Sequence, residues 1–141
     1  MSRRIYVHKG LEPLFRALAD RTRLRLLNLM NGQEVCVCYF VEVLQISQPK
    51  VSRHLAYLRR AEIVAARRQG TWMHYRIALP EDPRAARILK EVLDSLSDDR
   101  EMQKDRARLS AACCAPQKFV TLQSAPSPSP WPTLPQGDAR G

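Results

Sequence analysis

Aromatic residues make up only 6% of this 141-residue chain, and no apolar run approaches the roughly 18 residues of a membrane-spanning helix. The most apolar stretch, Val35 to Leu44, is already broken by Glu42, which excludes a spanning helix. The N-terminal MSRRIYVHKGLEPLF carries basic residues but lacks the apolar core of ~7–15 residues found in a signal peptide, so a secreted protein is not expected. A disulfide framework is also missing. The four cysteines stand as two tight pairs, Cys36 with Cys38 and Cys113 with Cys114, a spacing that fits thiol chemistry in a reducing cytoplasm better than loop closure. Acidic residues are the scarcer charge, 14 against 23 lysines and arginines. The net charge of +9 suits a polyanionic partner such as nucleic acid. The length fits one domain with a tail, and there are no internal repeats.

What is present reads as helices with one β-prone interruption. Leu11, Leu14, Phe15 and Leu18 fall at i, i+3, i+4 and i+7 of a first amphipathic helix, with Pro13 near its start. Asp20 offers an N-cap to a second helix, which carries Leu24, Leu27 and Met30 and stops at Asn31-Gly32. A third is expected over Val37 to Leu44, and a fourth restarts at Gln48, with Ser47 as N-cap and Pro49 in the first turn. Two helices joined by the three residues Gln45-Ile46-Ser47 are a helix-turn-helix. Ile63-Val64-Ala65 and Trp72 to Ile77 then flank a basic turn containing Gly70, predicting a two-stranded wing. Asp82 caps a further helix with an apolar stripe of Ala85, Ile88, Leu89, Val92 and Leu96, and the charged run from Asp98 to Arg108 is read as its solvated extension. The fold expected is mainly α with a two-stranded β-wing, a winged helix-turn-helix over residues 1–115, followed by a disordered Pro/Ser-rich tail over residues 116–141 that buries no core.

In the fourth helix Val51, Leu55 and Leu58 form the anchoring edge, while Pro49, Lys50, Arg53, Tyr57 and Arg60 fall on the other side. Gln48, Ser52, Arg53 and His54 are the candidates for base edges, because glutamine pairs with adenine and arginine with guanine in the major groove. Lys50, Arg67 and Arg68 suit phosphates, which add affinity and salt dependence without reading sequence. Trp72 and His74 read as packing residues of the wing.

Cys36 and Cys38 lie at the start of the third helix, where exposed N–H groups and the dipole favour thiolates. In a regular helix such residues point about 200° apart, so a shared ion would require the helix start to distort. Cys113-Cys114 is a vicinal pair before Pro116, suited to a soft, thiophilic ion. The spacings CxC and CC lack the gap of structural zinc pairs. Neither a third orienting residue nor a cofactor motif accompanies Cys36 with His54 or His74, so an enzyme is not expected.

The segments Ala17-Leu18-Ala19-Asp20, Glu34-Val35-Cys36-Val37-Cys38, Ile46 to Leu55 (ISQPKVSRHL) and Trp72 to Arg76 (WMHYR) resemble the ArsR-type winged-helix repressors, over about Leu11 to Leu96. The resemblance implies a cytoplasmic homodimer, joined by the first helix and the helix after the wing, that represses from operator DNA and leaves it when a metal or metalloid binds. The CVC motif is similar to that of the arsenite-responsive branch, whose third cysteine falls here at Val41. Cys113-Cys114 is similar to the C-terminal arsenic-binding pairs of other members. The implied metal ligands are therefore drawn from Cys36, Cys38, Cys113 and Cys114: either Cys36 and Cys38 completed by Cys113 or Cys114, within a subunit or across the dimer, or a C-terminal dithiol site independent of CVC. Participation of the C-terminal pair is favoured, because an arsenical with one organic group needs only two thiolates. No cofactor is implied beyond the inducer, trivalent arsenic as arsenite or methylarsenite, with antimonite as a further candidate. A redox- or persulfide-sensing repressor and a cadmium- or lead-responsive one are the rival expectations. The family's zinc site after the wing needs histidine, and residues 83–108 contain none.

Overall fold

The computed structural model describes residues 4–119, 122 and 124–130. Six helices surround a small antiparallel sheet: α1 (Arg4–Leu18), α2 (Arg21–Met30), β1 (Gln33–Cys36), α3 (Val37–Leu44), α4 (Gln48–Arg60), β2 (Val64–Gln69), β3 (Trp72–Ile77), α5 (Pro83–Leu96), α6 (Arg100–Cys114) and β4 (Ser129–Pro130). Among the described residues no helix is long and apolar enough to cross a membrane.

The expected caps are made. Asp20 accepts from the Arg23 N–H, Ser47 from Lys50, and Asp82 from Arg84. Each satisfies a donor that the first turn of a helix leaves without a partner. Gln45 takes the left-handed conformation, φ 58°, that ends α3 and turns the chain into α4. Gly70, at φ 61°, makes the tight β2–β3 turn, where any side chain would be strained. Leu14, Leu26, Leu27, Leu29, Phe40, Leu55, Leu58 and Leu89 are among the side chains that fill a single core.

Three features depart from the sequence reading. The wing belongs to a four-stranded sheet of order β2-β3-β1-β4. Its strand β1 is only four residues long and runs straight into α3, too short to show alternation. Second, α5 does not continue through Asp98. The Asp99 carboxylate accepts from the Glu101 and Met102 N–H groups and starts a separate helix, α6. That helix is not merely a solvated face, because Met102, Asp105, Leu109 and Ala112 are buried along one side. It is held to α2 by Arg25–Asp105 at 2.8 Å, by Arg21 to Asp99 and Glu101, and by Asn28 donating to the Met102 carbonyl. Third, the chain after 115 does reach the core. Pro116–Lys118 forms a short 3₁₀ turn, Leu122 is buried, and Ser129 and Pro130 pair with Glu34 and Gln33. The leucine supplies apolar area that the flanking prolines and serines do not. Residues 131–141 lie outside the described residues.

Candidate DNA-reading face and thiol site

The helix-turn-helix is α3, the turn over residues 45–47, and α4. Val51, Leu55 and Leu58 are fully buried and seat α4 on the core. This leaves Gln48, Lys50, Ser52 and Arg53 exposed together on its outer side. Arg68 is exposed on the wing. Two of the other candidates are engaged within the protein. His54 points back toward the start of α2, with Nδ1 3.3 Å from Arg23 Nη1 and 4.0 Å from Asp20 Oδ1. Burial holds its pKa below the ordinary histidine value; Asp20 opposes that shift, and the charges of Arg23, Lys50 and Arg53 reinforce it. Arg23 itself stacks over the Tyr57 ring at 4.0 Å and donates to the Ala17 and Arg16 carbonyls. Arg67 grips the buried Glu34 carboxylate on β1, with Nη2–Oε1 at 2.6 Å. That contact with Arg67 holds the Glu34 pKa down against the cost of burial.

The thiols meet where strand becomes helix. Cys36 is both the last residue of β1 and the N-cap of α3, with extended φ −73°, ψ 145°, so it does not follow the helical wheel. Its Sγ lies 3.4 Å from that of Cys38, which acts as donor to it. No unwinding of α3 is therefore needed to bring the two sulfurs to one ligand. The Cys36 pKa is lowered to about 7, first by the hydrogen bond from Cys38, against burial, and with help from the Cys38 and Val37 N–H groups. The Cys38 pKa is raised, because its proton is held by Cys36 and because it is itself buried. The arrangement is a thiol–thiolate pair near neutral pH, able to chelate a soft ion with little rearrangement.

Cys113 and Cys114 end α6, half-buried and exposed respectively. Burial, and then the charge of Cys114, raise the Cys113 pKa. The two pairs are not gathered into one cluster: among the described residues no set of three His, Cys, Asp or Glu side chains is placed to hold an ion. Tyr39, in the first turn of α3, was passed over by the sequence reading. Its side chain is fully buried, and its hydroxyl makes no well-formed hydrogen bond among the described residues. Burial raises the Tyr39 pKa; Ser127, beside the phenol, tempers the shift, and the charges of Cys113, Cys38 and Cys36 add to it. The phenol thus lies within electrostatic reach of both pairs. The only sequence signal was a polar aromatic three residues after Cys36.

A family model described as "Bacterial regulatory protein, arsR family" matches residues 20–66. The arsenic resistance transcriptional regulator ArsR1 of Pseudomonas putida is 42% identical over 109 residues, 76% of this chain and 83% of that protein. The chain belongs to the ArsR family. The arsenical resistance operon repressor of Escherichia coli is 46% identical over 79 residues, 55% of this ArsR-family chain and 68% of that repressor. The fold is also similar to the homodimeric winged helix-turn-helix DNA-binding domain of a possible ArsR-family regulator from Mycobacterium bovis, with TM-score 0.54 and 28% identity, covering 67% of this chain and 87% of that one. HlyU from Vibrio cholerae matches with TM-score 0.52 and 26% identity over 65% of this chain and 97% of its own. This ArsR-family protein is accordingly a winged helix-turn-helix transcriptional regulator and not an enzyme.

Proposed function

We propose that this ArsR-family protein is a homodimeric repressor that occupies operator DNA in its free state and leaves it when trivalent arsenic bonds to the Cys36 and Cys38 thiolates. The observation that carries this reading is the 3.4 Å sulfur pair at the β1–α3 junction, with one member already biased to thiolate. Two relatives whose names specify arsenic resistance support the choice of element. Gln48, Ser52 and Arg53 would read bases, and Lys50 and Arg68 would hold phosphates, while His54 turned toward Arg23 and Arg67 paired with Glu34 contribute less. Phe15 on α1, 53% exposed, suits a two-fold interface between copies. Coupling follows from position. Cys36 starts the helix that packs on α4, so a ligand that re-seats Cys36 also shifts the reading helix. By linkage, DNA must weaken metalloid binding by the same factor, typically about 1–3 kcal/mol.

Cys113 and Cys114 form the second soft-ion site in this reading, at the end of α6 in the same chain. Its support is that α6 packs against α3, the helix that begins beside Cys36. The test is fluorescence anisotropy of the reduced protein on its own promoter DNA, titrated with arsenite, methylarsenite, antimonite, cadmium and zinc. Wild type should be released by the trivalent arsenicals, and Cys36→Ser/Cys38→Ser should not be released. A response that survives in that variant and disappears in Cys113→Ser/Cys114→Ser would move the sensor to the C-terminal pair. Release by peroxide or polysulfide with arsenicals inert would select a redox sensor, and release by cadmium alone would overturn the choice of arsenic.

A further inference from the structure

The face of α6 that is not buried carries a row of cations. Arg100, Lys104 and Arg108 stand at i, i+4 and i+8, so they follow one side of the helix for about 12 Å. All three are exposed, and none makes an ion pair among the described residues. Together with Arg25, Glu101 and Asp105 they line an open cavity of about 430 Å³. Both carboxylates of that cavity are already engaged by arginines of α2. Asp105 accepts two hydrogen bonds from Arg25, while Glu101 accepts from Arg21 and lies 3.5 Å from Arg25. The three cations of the row are what this pairing leaves over.

The row borders the helix-turn-helix at both ends. Arg108 also lines a second cavity, of about 310 Å³, with Glu42 in the last turn of α3 and Gln45, the residue that turns the chain into α4. Glu42 brings one negative charge to that wall, against the three cations of the row. At the other end, Asp99 and Glu101 tie the start of α6 to Arg21, the first residue of α2. The N-cap of α2, Asp20, lies 4.0 Å from His54 of α4. The row is thus carried by the same elements that seat the reading helix. Duplex DNA presents one negative charge per about 1.7 Å of axis, a repeat that a line of cations matches better than a single small anion does.

We propose that the face of α6 formed by Arg100, Lys104 and Arg108 is a further DNA contact, which takes phosphates of the duplex bordering the half-site read by α4. It lies outside the helix-turn-helix and the wing, and adds affinity without sequence preference. This inference rests on the reading of α4 as the operator-binding helix.

The test is Arg100→Gln/Lys104→Gln/Arg108→Gln in the reduced, full-length protein on duplex DNA of its own promoter, by anisotropy over a range of salt and by hydroxyl-radical footprinting. The slope of log affinity against log salt should fall by about one unit for each removed cation that meets a phosphate, and affinity at fixed salt by about tenfold or more. Preference for the promoter over a scrambled duplex should be kept, because phosphates carry no base information. The footprint should lose protection at the border of each half-site and keep its centre. Lys104→Glu, a charge reversal in the middle of the row, should weaken binding more than Lys104→Gln. A slope and footprint equal to those of wild type overturn the proposal. Loss of promoter preference together with affinity also overturns it, by placing the effect in the helix-turn-helix itself. Inorganic phosphate that raises the thermal midpoint of wild type and not of the triple variant, with the slope unchanged, gives the cavity to a small anion instead. Failure of wild type to prefer its promoter overturns the reading of α4, and this inference with it.

Discussion

Arg67 on the wing closes on Glu34 of β1 through Nε and Nη2, with the shortest contact at 2.6 Å, and so ties the β2–β3 hairpin to the strand that ends in Cys36. Cross-strand register extends the tie. Cys36 stands opposite His74, and His74 opposite Arg67, so the three share one face of the sheet. A change at the thiol thus has a short path to the wing besides the one through α3.

This pair makes the salt dependence of DNA binding informative. Each phosphate neutralised contributes about one unit to the slope of log affinity against log salt. Arg68→Ala should reduce the slope by about one unit, and Arg67→Ala by clearly less, because Glu34 already offsets its charge. Glu34→Gln should steepen it. Equal effects of the two arginine substitutions in titrations over a range of salt would show that Glu34 releases Arg67 to DNA.

The thiol pair predicts an unusual titration. In Cys113→Ser/Cys114→Ser protein, the ultraviolet absorbance of thiolate should rise with a midpoint of about 7, from Cys36. Adding Cys38→Ala removes the hydrogen-bond donor, and the midpoint should move up toward the ordinary cysteine value of 9.0 or beyond, because burial then acts with less opposition. A midpoint indifferent to Cys38 would contradict the 3.4 Å contact.

Asp105, buried in α6, pairs with Arg25 at 2.8 Å. Asp105→Ala leaves a largely buried guanidinium with only the more distant Glu101, at 3.5 Å, as a carboxylate partner, and should cost about 2–3 kcal/mol in chemical denaturation. Replacing both partners, Arg25→Met with Asp105→Leu, should recover much of the loss. No recovery would mean that the pair specifies the α2–α6 packing as well as stabilising it.

The histidines set a pH dependence of known sign. Burial, the leading cause in both, holds His54 and His74 below the ordinary histidine value of 6.5; Asp20 opposes the shift at His54 and Glu34 at His74. Just below pH 6.5 the unfolded chain therefore binds protons that the native one refuses. Their contribution to stability is present above the unfolded pKa and is lost as pH falls through the lower folded values. Thermal midpoints should decline on acidification from about pH 7 to pH 5, and His74→Gln should flatten part of that decline. A profile unaffected by His74→Gln would exclude that histidine as a contributor.

Local chemistry made much of this protein legible in its sequence. Asp20, Ser47 and Asp82 cap helices by reaching their own neighbouring N–H groups, and Val51, Leu55 and Leu58 define a buried edge by spacing alone. The helix-turn-helix, the β2–β3 hairpin and the exposed Gln48, Lys50, Ser52 and Arg53 follow from such short-range rules. What lay out of reach depends on contacts between distant residues. Glu34 and Arg67 are 33 positions apart, Arg25 and Asp105 are 80, and the Glu34–Ser129 pairing crosses nearly the whole chain. Periodicity carries no information about such partners. The sequence determined which side chains could cap, anchor and ligate. Only the tertiary structure decided that Cys36 leaves the helical wheel at a strand end, so that its sulfur meets that of Cys38, because β1 pairing sets the backbone at that junction and the packing of α3 against α4 and α6 holds it there.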